Sequence, residues 1–207
     1  MNPSSPSRAP RDRRQVSAVH AQERLLDAAD ELFYREGVRN VGVDSVVARA
    51  GVNKMSLYRQ FASKDALMLA YLERQELCFW DKFDTSIAKH PNAPHRQLPQ
   101  FFADWAERAS ATSYRGCPFV NVAAEFSDPA HPARQFVLAH KTRLLSRLVE
   151  ITRATGAADP LSLAYSIGLM LEGCYAASQT YGVGHPMLHA AAACVTQMIE
   201  RACQTAD

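Results

Sequence analysis

The sequence predicts an all-α protein of about nine helices, an N-terminal three-helix unit followed by a C-terminal helical bundle. Three observations carry that expectation. Apolar residues recur at spacings of three and four, the period of helices with one buried face. Glycine and proline break the pattern at helix-sized intervals, at HPNAPH (90–95), at RGCP (115–118), at Gly156 and Pro160, and at Gly182 and Gly184. The stretch VDSVVARAGVNKMSLYRQFASK, Val43 to Lys64, reads as two short helices about a tight glycine turn with a third following at once, the layout of a helix-turn-helix.

Helix one is expected from about His20 to Glu36, with Leu25, Leu26, Ala29, Leu32 and Phe33 on one face and Gly37 in a left-handed cap. Val43, Val46, Val47 and Ala50 form the stripe of helix two, which Gly42 opens and Gly51 ends by accepting positive φ. Asn53 is a good N-cap for helix three. Leu57 and Phe61, four apart, face inward and leave Lys54, Met55, Ser56, Tyr58, Arg59 and Gln60 outward or flanking. Such a face suits DNA. A helix N-terminus favours phosphate, and Lys54 adds charge there. Ser56 and Tyr58 offer hydroxyls, and Met55 offers an apolar probe for a thymine methyl. Lys64 opens the next helix within reach of a phosphate. Tyr58, Arg59 and Lys64 are expected to position the protein, while Lys54, Met55, Ser56 and Gln60 read base edges. Val43 and Asn53, at the two helix starts, complete the candidate contact set.

These residues resemble the tetracycline-repressor (TetR) family of bacterial transcriptional regulators. The likeness is carried by LLDAADELFYREG followed by SVVARAGVNKMSLYRQFASKDAL, with the A-G-V, L-Y-x-x-F and S-K-x-x-L pieces in register over roughly fifty residues. Departures from the family pattern are Gly42 and Val43, where many members have Thr or Ser, and Met55 and Ser56, where many have Gly-Thr. They bear on which operator is read. The run RGCPFVNVAAEFSDPAHPA also looks like one branch of the family. The resemblance implies an all-helical homodimer whose N-terminal domain binds operator DNA and whose variable C-terminal domain binds a small effector that releases the DNA.

The charge distribution agrees. Residues 1–64 hold 11 Lys/Arg against 7 Asp/Glu, and the remainder holds 12 against 14, so a basic end meets a slightly acidic body. Residues 1–16, rich in Pro, Ser and Arg, are expected to be disordered, with Arg8, Arg11, Arg13 and Arg14 forming either a DNA-reaching arm or a solvated tail. No apolar run follows these arginines as in a signal peptide. The segment nearest to a membrane span, LSLAYSIGLMLEGCYAA, is interrupted by Glu172, so a cytoplasmic protein is expected. Five widely spaced cysteines, Cys78, Cys117, Cys174, Cys194 and Cys203, fit neither a disulfide framework nor a zinc site.

The domain plan is therefore a basic arm (1–16), a helix-turn-helix domain (17–64), and a ligand-binding and dimerisation domain (65–207). Helix four, about 64–84, links the two folded parts. Further helices are expected at about 96–112, 119–125, 133–154, 161–181 and 186–203. The last two carry broad apolar faces with many small residues (Ala176, Ala177, Ala190 to Ala193) and are expected to pair with their symmetry mates. Polar groups on apolar helices point to a ligand pocket. Glu172, Tyr175 and Gln179 share a helical face, and Trp105, Asn121 and Glu125 approach from earlier helices. Cys117 at a helix start is a candidate for a lowered thiol pKa, beside the plainer reading of an inert buried cysteine. His185 and His189, four apart, lack further metal ligands, and Asp128 and His131 read as turn chemistry. No metal, cofactor or catalytic residue is expected, since nucleophile elbow, phosphate loop and paired metal-binding carboxylates are all missing from the sequence. The expected partners are double-stranded operator DNA, a second copy of the chain and a small-molecule effector. A regulator without an effector, whether activator or protein-controlled switch, is the alternative, and a helical enzyme is a remote one.

Overall fold

The computed structural model describes residues 10–204, with side chains from His20 onward. Among the described residues there are nine helices and no strand. They are α1 (Pro10–Glu36), α2 (Val43–Ala50), α3 (Lys54–Gln60), α4 (Lys64–Ala88), α5 (Pro94–Ala109), α6 (Pro118–Glu125), α7 (Pro132–Ala154), α8 (Pro160–Tyr181) and α9 (Pro186–Gln204). The all-α reading holds. Helix one differs from expectation. Residues 1–9, with Arg8, lie outside the described residues, but the backbone from Pro10 is already helical. The arm read as unstructured to residue 16 is thus corrected from Pro10 on. Proline suits a first helical position, and the straight-chain residues Arg11, Arg13, Arg14 and Gln15 are good helix formers.

The chain forms two compact units, one ending at Tyr71 and the other beginning at Leu72. The sequence placed the change at residue 64, where α4 begins, whereas the division falls inside α4. Burial explains the difference. Leu67, Met68 and Tyr71 of α4 are buried, and the Tyr71 ring meets Phe33 of α1 edge-on at 5.7 Å.

In the first unit α1 packs against α2 and α3. Leu25, Ala28, Ala29 and Phe33 bury one face of α1 against Val46, Val47 and Ala50 of α2 and Leu57 of α3. Val38 and Val41, between α1 and α2, are also buried. The turn between α2 and α3 uses local chemistry. Gly51 takes φ +61°, and its N–H closes back on the carbonyls of Val47 and Ala48. Arg24 of α1 donates to the Gly51 carbonyl at 3.3 Å, fastening the turn to the first helix. Asn53 then caps α3, its Oδ1 accepting from Ser56 N–H at 2.8 Å.

In the second unit α5 packs most closely on α9, and α7 on α8. Helices α5 to α9 each begin on a proline, Pro94, Pro118, Pro132, Pro160 and Pro186. The first four read as chain breakers, so the expected starts of α5 to α8 fell one or two residues late, whereas α9 begins at Pro186 as expected. Proline lacks only an N–H that the first turn leaves unused. Side chains complete the caps. His131 Nδ1 accepts from Ala133 N–H at 3.2 Å and Asp159 from Ser162 N–H at 3.0 Å, while Asp128 accepts from Ala130 N–H at 2.8 Å within the turn before α7. The interior is rich in aromatic rings, with Phe83 against Phe101 at 4.9 Å and Phe101 against Phe102 at 5.7 Å. Among the described residues no helix is long and apolar enough to cross a membrane.

Gly51→Ala is expected to destabilise the first unit by about 1–2 kcal/mol, because an L-residue is strained at φ +61°. The new methyl would also press on the Arg24 guanidinium. Urea denaturation followed by circular dichroism reads the effect, and an unchanged midpoint would refute it.

Candidate functional site

Helix α3 has only seven residues, and its buried anchor is Leu57, with Phe61 buried immediately after it. Burying that edge exposes the opposite one. Met55 is 64% and Tyr58 47% exposed, and Lys54 and Arg59 are exposed beside them. Positions 54, 55, 58 and 59 lie on one helical face. The face therefore carries two cations, a thioether and a phenol. Lys54 Nζ sits 2.9 Å from Asp44 Oδ1 of α2, and that hydrogen bond raises the ammonium pKa above its ordinary value. Ser56 is half-buried, and its hydroxyl donates to Asn53 Oδ1 at 3.0 Å, so both residues also serve the cap. Val43, Gln60 and Lys64 are half-buried at the ends of α2, α3 and α4. Arg49 pairs with Glu31, tying α2 to α1. Sequence reasoning missed Asp44 as the partner of Lys54, although an acidic residue in the first turn of α2 was a signal for it.

The second unit gathers some of the expected pocket residues and separates others. Trp105 and Tyr175 are buried with rings 6.0 Å apart, and Trp105 Nε1 donates to the Tyr114 hydroxyl at 2.9 Å. Lys141 lies over the Tyr175 ring at 5.0 Å and bonds Glu172 at 2.5 Å. Asn121 and Gln179 meet at 3.1 Å, on a more exposed part of the surface. Glu125 is half-buried near the end of α6. Cys117 is buried, and desolvation pushes its thiol pKa up even though Lys141 Nζ lies 4.0 Å away and pulls it down. That corrects the candidate lowered thiol, since loss of water outweighs both the helix start and the nearby ammonium. All five cysteines are free. Burial raises the Tyr175 phenol well above its ordinary value as well. His185 accepts from Met187 N–H and stacks on Tyr181, while His189 meets Ser110 at 3.3 Å. Among the described residues no three His, Cys, Asp or Glu side chains cluster as metal ligands.

A second polar cluster was not anticipated. His140 of α7 is 2% exposed and sits among Phe79, Trp80 and Phe119, stacked on Phe119 at 3.8 Å. Its Nδ1 lies 3.3 Å from Glu76 Oε1, which also accepts from Trp80 Nε1 at 3.2 Å. Arg143 approaches Glu76 at 3.7 Å and lies 4.3 Å over the Trp80 ring. Among the described residues, His140 Nε2 is the one buried side-chain nitrogen or oxygen without a hydrogen-bond partner. Desolvation lowers the His140 pKa to about 4, against the opposing pull of Glu76. The signal was present in the spacing, because His140 falls on the buried stripe Val137, Leu144, Leu148, Ile151 of α7.

Residues 25–71 match the family model described as bacterial regulatory proteins, tetR family, and residues 94–194 match the one described as tetracyclin repressor-like, C-terminal domain. A TetR-family transcriptional regulator from Streptomyces coelicolor is 29% identical, with TM-score 0.80 over 90% of this chain and 96% of that one. A solved chain from Streptomyces avermitilis is 30% identical, with TM-score 0.72 over 88% of this chain and 97% of that one. The HTH-type transcriptional regulator YjdC of Escherichia coli is 26% identical over 156 residues, 74% of this chain and 80% of that protein.

Stability should fall as pH drops from about 6.5 towards 4, because the unfolded chain then binds a proton that folded His140 refuses. The groups facing it are Glu76, Lys141 and Arg143. His140→Phe should reduce the slope of stability against pH in that window by at most about 1.4 kcal/mol per pH unit. Urea titrations at stepped pH measure the slope, and equal slopes for variant and wild type would show that His140 titrates normally.

Proposed function

The chain belongs to the TetR family of bacterial transcriptional regulators, and on that premise we propose that it is a homodimeric repressor that binds palindromic operator DNA and is released by a small-molecule effector. That it is a DNA-binding regulator and not an enzyme follows from the family. The observation that carries the finer reading is the exposed face of α3, with Lys54, Met55, Tyr58 and Arg59 held outward by the burial of Leu57.

In this reading α3 enters the major groove. Tyr58, Arg59 and Lys64 bind phosphates and set the register, while Lys54, Met55, Ser56 and Gln60 read base edges. Val43 and Asn53 approach the backbone from the starts of α2 and α3. Lys54 exchanges Asp44 for the nucleic acid on binding. A second copy joins through α8 and α9, where Leu161, Tyr165 and Leu169 are exposed beside the small residues Ala176, Ala190 and Ala193. Two copies place two recognition helices in successive major grooves, about 34 Å apart. The effector binds in the helical body, where Trp105, Cys117, Asn121, Glu125, Glu172, Tyr175 and Gln179 are candidate contacts. It shifts DNA affinity only by its preference between two states of the protein. Helix α4 contributes residues to both units, which makes it the candidate route of that coupling.

Sequencing DNA fragments retained by the purified protein from a random pool should return a palindrome, and a consensus without two-fold symmetry would overturn dimeric operator binding. Lys64→Ala should weaken binding to all sequences and reduce the salt slope by about one phosphate, and Tyr58→Phe should weaken it without a change of consensus. Met55→Ala should instead alter the preferred base, and an identical consensus for variant and wild type would remove Met55 from the reading set. Light scattering at micromolar protein should give a dimer mass, and a monomer mass would defeat the proposed pairing of α8 and α9.

A further inference from the structure

Asp44 and Lys54 form an exposed ion pair beside the face that α3 presents. Lys54 Nζ lies 2.9 Å from Asp44 Oδ1, and the two side chains are 53% and 81% exposed. Asp44 stands in the first turn of α2, and the DNA contacts proposed above leave it unused. An exposed ion pair of this kind adds little to folding. It does set a donor and an acceptor side by side. Once Lys54 turns to the nucleic acid, the Asp44 carboxylate requires a donor of its own. Phosphates repel it. The donors of the major groove are the amino groups of cytosine and adenine, N4 and N6. Aspartate suits cytosine N4, and lysine suits the O6 and N7 acceptors of guanine. Guanine O6 and cytosine N4 of one base pair are joined by an N–H···O hydrogen bond, so they lie about 2.9 Å apart. That spacing matches the separation of Lys54 Nζ and Asp44 Oδ1.

We infer that Asp44 and Lys54 act as one unit that reads a single G·C base pair for each copy of α3, Lys54 donating to guanine O6 and N7 and Asp44 accepting from cytosine N4–H. This rests on α3 entering the major groove, as proposed above. A reversed C·G pair sets donor against donor and acceptor against acceptor, so it is rejected. A T·A pair repeats the order of acceptor and donor through thymine O4 and adenine N6. Thymine offers Lys54 one acceptor where guanine offers two, so T·A ranks second. Asp44 is then a specificity residue on α2, acting on the same base pair as the first residue of α3.

The test uses the full chain as wild type, Asp44→Ala, Asp44→Asn, Lys54→Met and Met55→Ala. Each protein selects DNA from a random pool. DNA-shift titrations at one fixed salt concentration then compare the wild-type consensus with its single-pair variants. Circular dichroism confirms that each variant folds. Wild type should prefer G·C over C·G at the pair in question by about tenfold or more, the discrimination of a good base contact. Asp44→Ala and Lys54→Met should each reduce that preference to about threefold or less, at the same base pair. Asp44→Asn keeps an acceptor for cytosine N4 and should retain part of the preference. A preference unmoved in Asp44→Ala, or a uniform change of affinity for all sequences in its place, would overturn the inference. So would losses at different base pairs for Asp44→Ala and Lys54→Met, or an Asp44→Asn variant as indiscriminate as Asp44→Ala. The variants also separate this unit from the reading it rests on. If Asp44→Ala returns the wild-type consensus while Met55→Ala changes it, the unit falls and α3 remains the recognition helix. If Asp44→Ala, Lys54→Met and Met55→Ala all return the wild-type consensus, α3 does not read the groove and both fall.

Discussion

A seven-residue helix has no stability of its own in water, because nucleation is costly and few bonds follow it. Everything proposed for α3 therefore depends on the burial of Leu57, which is fully covered, with Phe61 beyond it. That contact decides which edge of the helix faces out. It also explains the surrounding chemistry. Asn53 satisfies N–H groups at one end, Gly51 turns the chain before it, and Arg24 holds the turn from α1. With the underside fixed in this way, Met55, Tyr58 and Arg59 are left exposed on a rigid support, the condition for reading a groove rather than merely attaching to it.

The second unit has the opposite character. Its interior is aromatic and accommodates polar groups only where they are paired. Lys141 is held by Glu172 and the Tyr175 face, and Glu76 collects Trp80, Arg143 and His140. Such pairs add little net stability, since desolvation offsets attraction, but removing one partner is costly. His140 is the exception, satisfied on one nitrogen and not on the other. A polar atom buried without a protein partner is a departure from the usual pairing of buried polar groups.

Most helices were legible in the sequence. The stripes Val43–Ala50 and Leu57–Phe61 predicted α2 and α3 with their caps, because a short helix of this type is specified by local spacing and by Gly51 and Asn53. Starts of the later helices were misplaced by a residue or two, because Pro94, Pro118, Pro132 and Pro160 serve as first helical residues and not as breaks. Candidate pocket residues were less legible. Trp105 and Tyr175 do meet, but Cys117 is raised and not activated, and Asn121 pairs with Gln179 on a more exposed surface. The cluster with the clearest unmet chemistry, around His140, passed unnoticed although its spacing was visible.

The sequence alone determined the helical class, the order of the elements, the buried faces of α1, α2 and α3 and the exposed face of α3. All of these follow from interactions within a few residues along the chain, where period and capping chemistry leave little choice. Tertiary structure decided which distant faces meet. His140 and Glu76 are 64 residues apart, Lys141 and Glu172 are 31 apart, and Lys54 finds Asp44 only because α2 and α3 are folded onto α1. No local pattern encodes such a meeting, because helical period says which side of a helix is apolar and not what will cover it. Whether a buried nitrogen gains a partner depends on that cover.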